Sequence, residues 1–223
     1  MGWFIKFIDS SIGKKLVMAL TGLFLYLFLI EHLIANLLLL GNDNGKAYEI
    51  YADVLGSSYN IPLRVIEVGL FFCMLYHALN GLRLWMSNNK AKGQPYLVNR
   101  ASENSSFFSR FMFWSGTVIF IFLVIHLKSF FVNYRLATPA DPSMYNGVIN
   151  TFQNPWYSGL YILAFVLLAF HLVHGFQSAF QTLGLRHNKY TPFLKSFGVG
   201  FSILICAGFA IVPIYFLFFY GRV

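Results

Sequence analysis

The chain has 223 residues, of which 57% are hydrophobic, 19% aromatic and only 11% charged, a balance that excludes an ordinary soluble domain. The net charge of +8 would suit a nucleic-acid binder. The basic residues, however, fall mostly in short loops between apolar runs, where they read as topology signals, so no nucleic-acid partner is expected.

In chain order, Trp3 to Ile8 form a short apolar patch carrying Lys6, suited to a membrane interface. Asp9, Ser10 or Ser11 can cap the helix that follows. Lys14 and Lys15 flank an apolar run to about Leu40, too long for a signal-peptide core and without a small-residue cleavage site after it. It is read as a retained first span. Asn42 to Asn60 is a polar loop with room for a short surface helix. Pro62 and Pro155 each suit the first turn of a helix, and Gly184 suits a helix C-terminus. The expected spans are about 14–41, 62–88, 107–133, 155–183 and 195–220, each long enough for a bilayer core of roughly 20 residues. The expectation is an all-α membrane protein, residues 1–223 forming one membrane-anchor domain with five transmembrane helices.

Orientation follows from counting basic residues. With the N-terminus inside, inner segments carry 11 of the 16 Lys and Arg and outer segments carry 5. That bias predicts a cytoplasmic N-terminus and an external C-terminus. Cys73 and Cys206 both lie in apolar spans and read as small buried residues.

Two stretches resemble each other. Thr21-Gly22-Leu23-Phe24-Leu25-Tyr26-Leu27-Phe28-Leu29-Ile30-Glu31-His32 parallels Ser115-Gly116-Thr117-Val118-Ile119-Phe120-Ile121-Phe122-Leu123-Val124-Ile125-His126. His77-x-x-x-Gly81 likewise parallels His171-x-x-x-Gly175, and both His-to-His spacings are 45 residues (77 minus 32, 171 minus 126). Spans one and two, and spans three and four, therefore read as two copies of one helical hairpin. At about 1.5 Å per residue, His32 and His126 lie roughly 22–24 Å from the inner face, and His77 and His171 roughly 12–18 Å. Each layer offers one imidazole from each copy, the arrangement that bis-histidine ligation of a b-type haem requires. Two haem b groups follow, with four of the five helices forming the haem-binding bundle. Gly81 and Gly175, one turn past their histidines, would leave room for a ring-shaped cofactor. The alternative is four polar residues that only link helices by hydrogen bonds. His174, three residues past His171, is either a second candidate ligand, a neighbour of the cofactor, or a helix contact. His187 falls in a basic loop.

These residues carry a family resemblance. His77-Ala78-Leu79-Asn80-Gly81-Leu82-Arg83 resembles the His-x-x-x-Gly-[Ile/Leu]-Arg signature of succinate dehydrogenase cytochrome b subunits. Five spans with histidines in the first four resemble the single-subunit, di-haem membrane anchors of succinate dehydrogenase and fumarate reductase. Ser11-Ile12-Gly13-Lys14-Lys15-x-x-Met18-Ala19-Leu20-Thr21-Gly22 is similar to the Bacteroidetes/Chlorobi version. The resemblance implies residence in a bacterial inner membrane and two partners, a flavoprotein with FAD and an iron–sulfur subunit with Fe–S clusters. It implies electron transfer through a proximal haem on His77 and His171 and a distal haem on His32 and His126, to or from a quinone, for this version menaquinone. Candidate quinone or proton groups are Glu31 and Glu67, with Glu49 and Asp53 as further options. Arg83 would meet a haem propionate, dock the iron–sulfur subunit, or serve only as a topology residue. Some fumarate reductase anchors carry a glutamate two residues before the fourth ligand; here that position is Ala169, or Leu172 counted from His174, so that proton route is doubtful. The competing readings are the di-haem cytochrome b of a formate dehydrogenase or hydrogenase, and a transporter or haem-free anchor.

Overall fold

Ser10 separates the first two helices of the computed structural model, which describes residues 2–57, 59–91, 107–137 and 142–221. Its extended backbone breaks α1 (Trp3–Asp9), and its hydroxyl accepts from the Gly13 N–H at 3.0 Å to start α2 (Ser11–Leu37). A side chain at Gly13 would place its Cβ 2.0 Å from the Phe7 carbonyl oxygen, so glycine lets α1 fold back against α2. Trp3, Phe4, Ile5 and Phe7 are left exposed, an apolar patch of the kind expected at an interface. Lys92, Arg100, residues 138–141 and Arg222, which entered the loop and charge assignments, lie outside the described residues.

The helices long and apolar enough to cross a membrane cover Ser11–Leu40, Ile61–Ala91, Ser109–Leu136, Pro155–Thr182 and Thr191–Phe218. The expected architecture of five transmembrane helices is therefore present, and no strand occurs among the described residues. α2 closes through a 3-10 turn, Leu38–Leu40. The polar loop after it contains α3 (Lys46–Gly56), begun by Gly45 at φ 78° and by Asp43, whose carboxylate accepts from the Gly45 and Ala47 N–H groups. α4 spans Ile61–Ala91 and α5 Phe107–His126. Beyond His126 the same helix widens into a π-helix, Leu127–Leu136, ended by the Ala137 N–H donating to the Val132 carbonyl. This continuation carries the third span past its expected limit. α6 is Met144–Phe152, capped by Ser143. In α7 (Pro155–Thr182), Asn154 caps the first turn and Pro155 sits inside it. Gly184, at φ 74°, ends the helix in a Schellman arrangement, with the Leu185 N–H reaching the Phe180 carbonyl. α8 is Thr191–Phe218.

Packing closes α2, α4, α5 and α7 into a ring, each touching the next, and α8 lies outside it against α7 and α2. Lipid tails are as apolar as the helix faces, so close fit rather than hydrophobicity must hold α8 there. Gly198, Ser202 and Cys206, spaced by four, supply that fit and are all buried. A Cβ at Gly198 would stand 2.6 Å from the Phe176 ring, and one at Gly208 would stand 2.9 Å from Leu33. Cys206 thus acts as a small packing residue. Cys73 is half-buried and its thiol faces the Thr21 carbonyl at 3.9 Å.

At the end of the bundle away from the N-terminus, called outer after the expected orientation, α3 and α6 pack on each other. Glu49 joins them: its carboxylate accepts from the Ser143 hydroxyl at 2.5 Å and from the Tyr145 N–H at 2.9 Å, at the start of α6. Burial, together with neighbouring Tyr220, pushes the Tyr145 phenol up to about 12, so it stays neutral beside Gly45. Glu49→Ala should weaken the α3–α6 junction by about 1.5–3 kcal/mol, as expected for hydrogen bonds to a charged acceptor. Faster amide exchange in 144–152, with the spans unchanged, would register it; unchanged exchange would refute the cap.

Candidate functional site: two layers of paired histidines

Inside the ring, four imidazoles meet in two pairs. Outermost are His32 of α2 and His126 at the end of α5, with ring centroids 5.8 Å apart and planes at 88°. Nearer the N-terminal end are His77 of α4 and His171 of α7, with centroids 6.4 Å apart and planes at 66°. Each pair takes one ring from α2 or α4 and one from α5 or α7, so each combines the two copies of the hairpin.

The repeat sets these directions. Its copies are offset by 94 residues (126 minus 32, 171 minus 77). In the first copy, Thr21 Oγ1 lies 3.0 Å from His77 Nδ1. In the second, Ser115 Oγ lies 3.4 Å from His171 Nδ1. The next residue is glycine both times, and its missing side chain faces the same imidazole. A Cβ on Gly22 would stand 3.3 Å from His77 Cε1, and one on Gly116 would stand 3.2 Å from His171 Cε1. One turn before each outer histidine a phenylalanine stacks on it, Phe28 on His32 at 5.2 Å and Phe122 on His126 at 5.9 Å. His126 Nδ1 also has the Tyr161 hydroxyl at 3.1 Å, and Phe209 of α8 packs against His32.

The geometry can be weighed against the group it would hold. Metal–imidazole nitrogen bonds of about 2 Å on opposite sides of one ion put the two ring centroids roughly 6 Å apart. The two separations found fall on either side of that value. Among the described residues, no three or more His, Cys, Asp or Glu side chains converge as a bare metal ion would require. Two imidazoles are the number taken by an iron already held in a porphyrin. With Nδ1 engaged by a hydroxyl, the other nitrogen is left for a metal. The residues present therefore fit haem.

Other candidates lie elsewhere. Gly81 does not face open space: the Met18 methyl stands 3.2 Å from where its Cβ would be, whereas Gly175 has nothing within 4 Å. His174 is half-buried, and it is His171, not His174, whose ring approaches His77. The repeat counterpart of His174 is Asn80, fully buried, whose amide donates to the Lys14 carbonyl at 2.9 Å and ties α4 to α2. Arg83 is exposed at the inner end of α4, and His187 sits in the α7–α8 loop with its Nδ1 accepting from the Lys189 N–H. Glu67 pairs with Arg64 and lies 3.7 Å from Arg135, while the two guanidiniums donate to the Leu55 and Gly56 carbonyls at the end of α3. That network anchors α3.

Glu31 differs. It is exposed on a membrane-spanning helix, next in sequence to His32, and accepts a hydrogen bond from Tyr51 of α3. Burial first, and the carboxylate second, hold the Tyr51 phenol well above its usual range, so it remains a donor. The pair lies in a shallow, open and otherwise apolar surface groove walled by Leu27, Ile30, Ile34 and Leu38.

The signal for Thr21, Ser115, Gly22 and Gly116 was present in the repeat. Both hydroxyl residues precede their histidine by 56 positions. Tyr161 carries no such mark, since its counterpart is Glu67.

Among known proteins, the model of the family described as succinate dehydrogenase/fumarate reductase transmembrane subunit matches residues 16–97 and again residues 86–212. The first match contains His32 and His77, the second His126 and His171. No curated protein and no solved structure matches the chain significantly.

Proposed function

Because the chain belongs to the succinate dehydrogenase/fumarate reductase transmembrane subunit family, we propose that it is the di-haem b cytochrome anchor of a succinate:quinone oxidoreductase. Family membership makes it a multi-pass membrane subunit of a complex whose catalytic partners are separate chains. Succinate or fumarate chemistry then belongs to a flavoprotein partner, and electrons cross an iron–sulfur partner docked on the basic inner loops. The family resemblance implies a bacterial inner membrane, and the charge bias supports a cytoplasmic N-terminus with an external C-terminus.

The observation that carries the haem reading is the pair of imidazole separations, 5.8 and 6.4 Å, each joining opposite copies of the hairpin. His32 with His126, and His77 with His171, would each hold one haem. Haem, if held there, would supply one-electron chemistry between the iron–sulfur partner and a quinone. The protein's part is to orient the imidazoles, exclude water from the ring interior, and manage protons at the quinone. Quinone reduction takes up protons with electrons, and Glu31 with Tyr51 offers a proton-bearing pair at membrane depth in an open apolar groove beside the outer layer. Glu67 is less suited, since its carboxylate is committed to Arg64.

The intact complex, purified from membranes, should show reduced-minus-oxidised b-type bands on adding succinate and two pyridine-haemochrome equivalents per chain. One haem, none, or bands indifferent to succinate would overturn the proposal, and reduction by formate or hydrogen instead would favour the competing complexes. Glu31→Gln should keep both haems and lower kcat with quinone about 100-fold, the usual scale of general acid–base catalysis. Wild-type turnover would remove Glu31 from the site.

A further inference from the structure

We infer that Thr21 and Ser115 are positioning residues that fix the tautomer of the inner histidines and lower the reduction potential of the haem those histidines hold. The inference rests on the haem reading of that pair.

A hydroxyl has one proton to donate. Thr21 Oγ1 commits its proton to the preceding turn, with the Val17 carbonyl at 2.8 Å and the Met18 carbonyl at 3.2 Å. Ser115 Oγ commits its proton to the Met112 carbonyl at 3.0 Å. Each oxygen can then only accept from the imidazole it faces, so His77 and His171 each carry the proton on Nδ1. The lone pair of each ring is confined to Nε2, the atom free to bind iron. The same contact adds electron density to the ring, because an imidazole donating its N–H is a more basic ligand. A more basic ligand favours ferric over ferrous iron, and second-shell hydrogen bonding is one of the protein's means of setting a haem potential.

Two features separate this from incidental packing. The contact occurs twice, at equivalent places in the two hairpins and with the same 56-residue separation. The adjoining Gly22 and Gly116 let the imidazole approach closely enough to make it. The outer pair has no such matched hydroxyls: His126 meets the Tyr161 phenol, and His32 stacks on Phe28.

The test is a redox titration, with low-spin EPR, of the intact complex carrying Thr21→Val, Ser115→Ala, or the hydroxyl-preserving Thr21→Ser and Ser115→Thr. Thr21→Val and Ser115→Ala should each raise the midpoint of one haem and leave the other unchanged. A tenfold shift of the reduction equilibrium corresponds to 59 mV for one electron. The Ser and Thr replacements should restore wild-type behaviour. Loss of the inner haem in Thr21→Val but not in Thr21→Ser would equally support the inference, since only the hydroxyl differs in kind. Wild-type potentials and spectra in both Thr21→Val and Ser115→Ala would overturn it, as would equal haem loss in Thr21→Val and Thr21→Ser. A wild-type complex without haem would instead defeat the reading beneath it.

Discussion

Replacing His77 or His171 by alanine should remove one of the two haems and spare the other. Either substitution takes away an axial nitrogen and leaves the facing imidazole alone in the ring interior, where lipid offers no replacement partner. The outer pair is built from different turns and different neighbours, Phe28, Phe122, Tyr161 and Phe209, so it should persist. Pyridine haemochrome should fall to about half, and the remaining bands should be those left intact by Thr21→Val. His32→Ala and His126→Ala should give the complementary loss. Electron transfer from succinate to quinone should fall by orders of magnitude in all four, because each interrupts the only chain of redox centres across the bundle in the proposed arrangement. His174→Ala should retain both haems, since its repeat counterpart Asn80 serves to tie α4 to the Lys14 carbonyl. Haem loss from His174→Ala with His171→Ala silent would reverse the ligand assignment.

The legible part of the sequence was what repeats or has a long apolar period. Five apolar runs became five spanning helices because a bilayer admits little else for a single chain of this composition. Pro155 and Gly184 marked the ends of α7 because proline fits a first turn and glycine accepts a positive φ. The histidines stood out because ionisable side chains are rare at membrane depth. Less legible were contacts between unlike residues far apart. Gly81 looked like room for a ring one turn from His77, yet Met18 of α2 fills that space, and nothing in the spacing along α4 tells which neighbour will cover a given face. Glu67, Arg64 and Arg135 come from two spans and converge on α3, the short helix for which the polar loop left room without showing what would meet it. The π-helical stretch after His126 has no compositional mark, because widening by one residue is decided by tertiary packing. Thr21 and Ser115 were visible as part of a repeat, but their chemistry appears only once the second helix of each hairpin folds back.

Valine in place of Gly22 or Gly116 should abolish the inner haem while leaving all four histidines in the chain. A methyl at either position would already stand 3.3 or 3.2 Å from an imidazole Cε1, closer than most carbon contacts, so alanine requires the ring to yield by a few tenths of an ångström. His77 and His171 have limited scope to yield, because Nδ1 of each is held by the neighbouring hydroxyl. Alanine should therefore retain haem with a shifted low-spin EPR signal. Valine adds two branches beyond that methyl and must turn the imidazole aside, breaking the hydroxyl contact and the alignment of Nε2 with its partner. Overpacking of this kind typically costs 1–3 kcal/mol, and the metal geometry is less tolerant than the fold. The complex should assemble, with wild-type helix content by circular dichroism, yet carry one haem per chain. Gly175→Val, one turn beyond His171 with nothing within 4 Å of its Cβ position, is the control and should lose less. Equal haem loss at Gly175, or full haem content in both Gly22→Val and Gly116→Val, would mean that these two glycines do not make the room the inner imidazoles occupy.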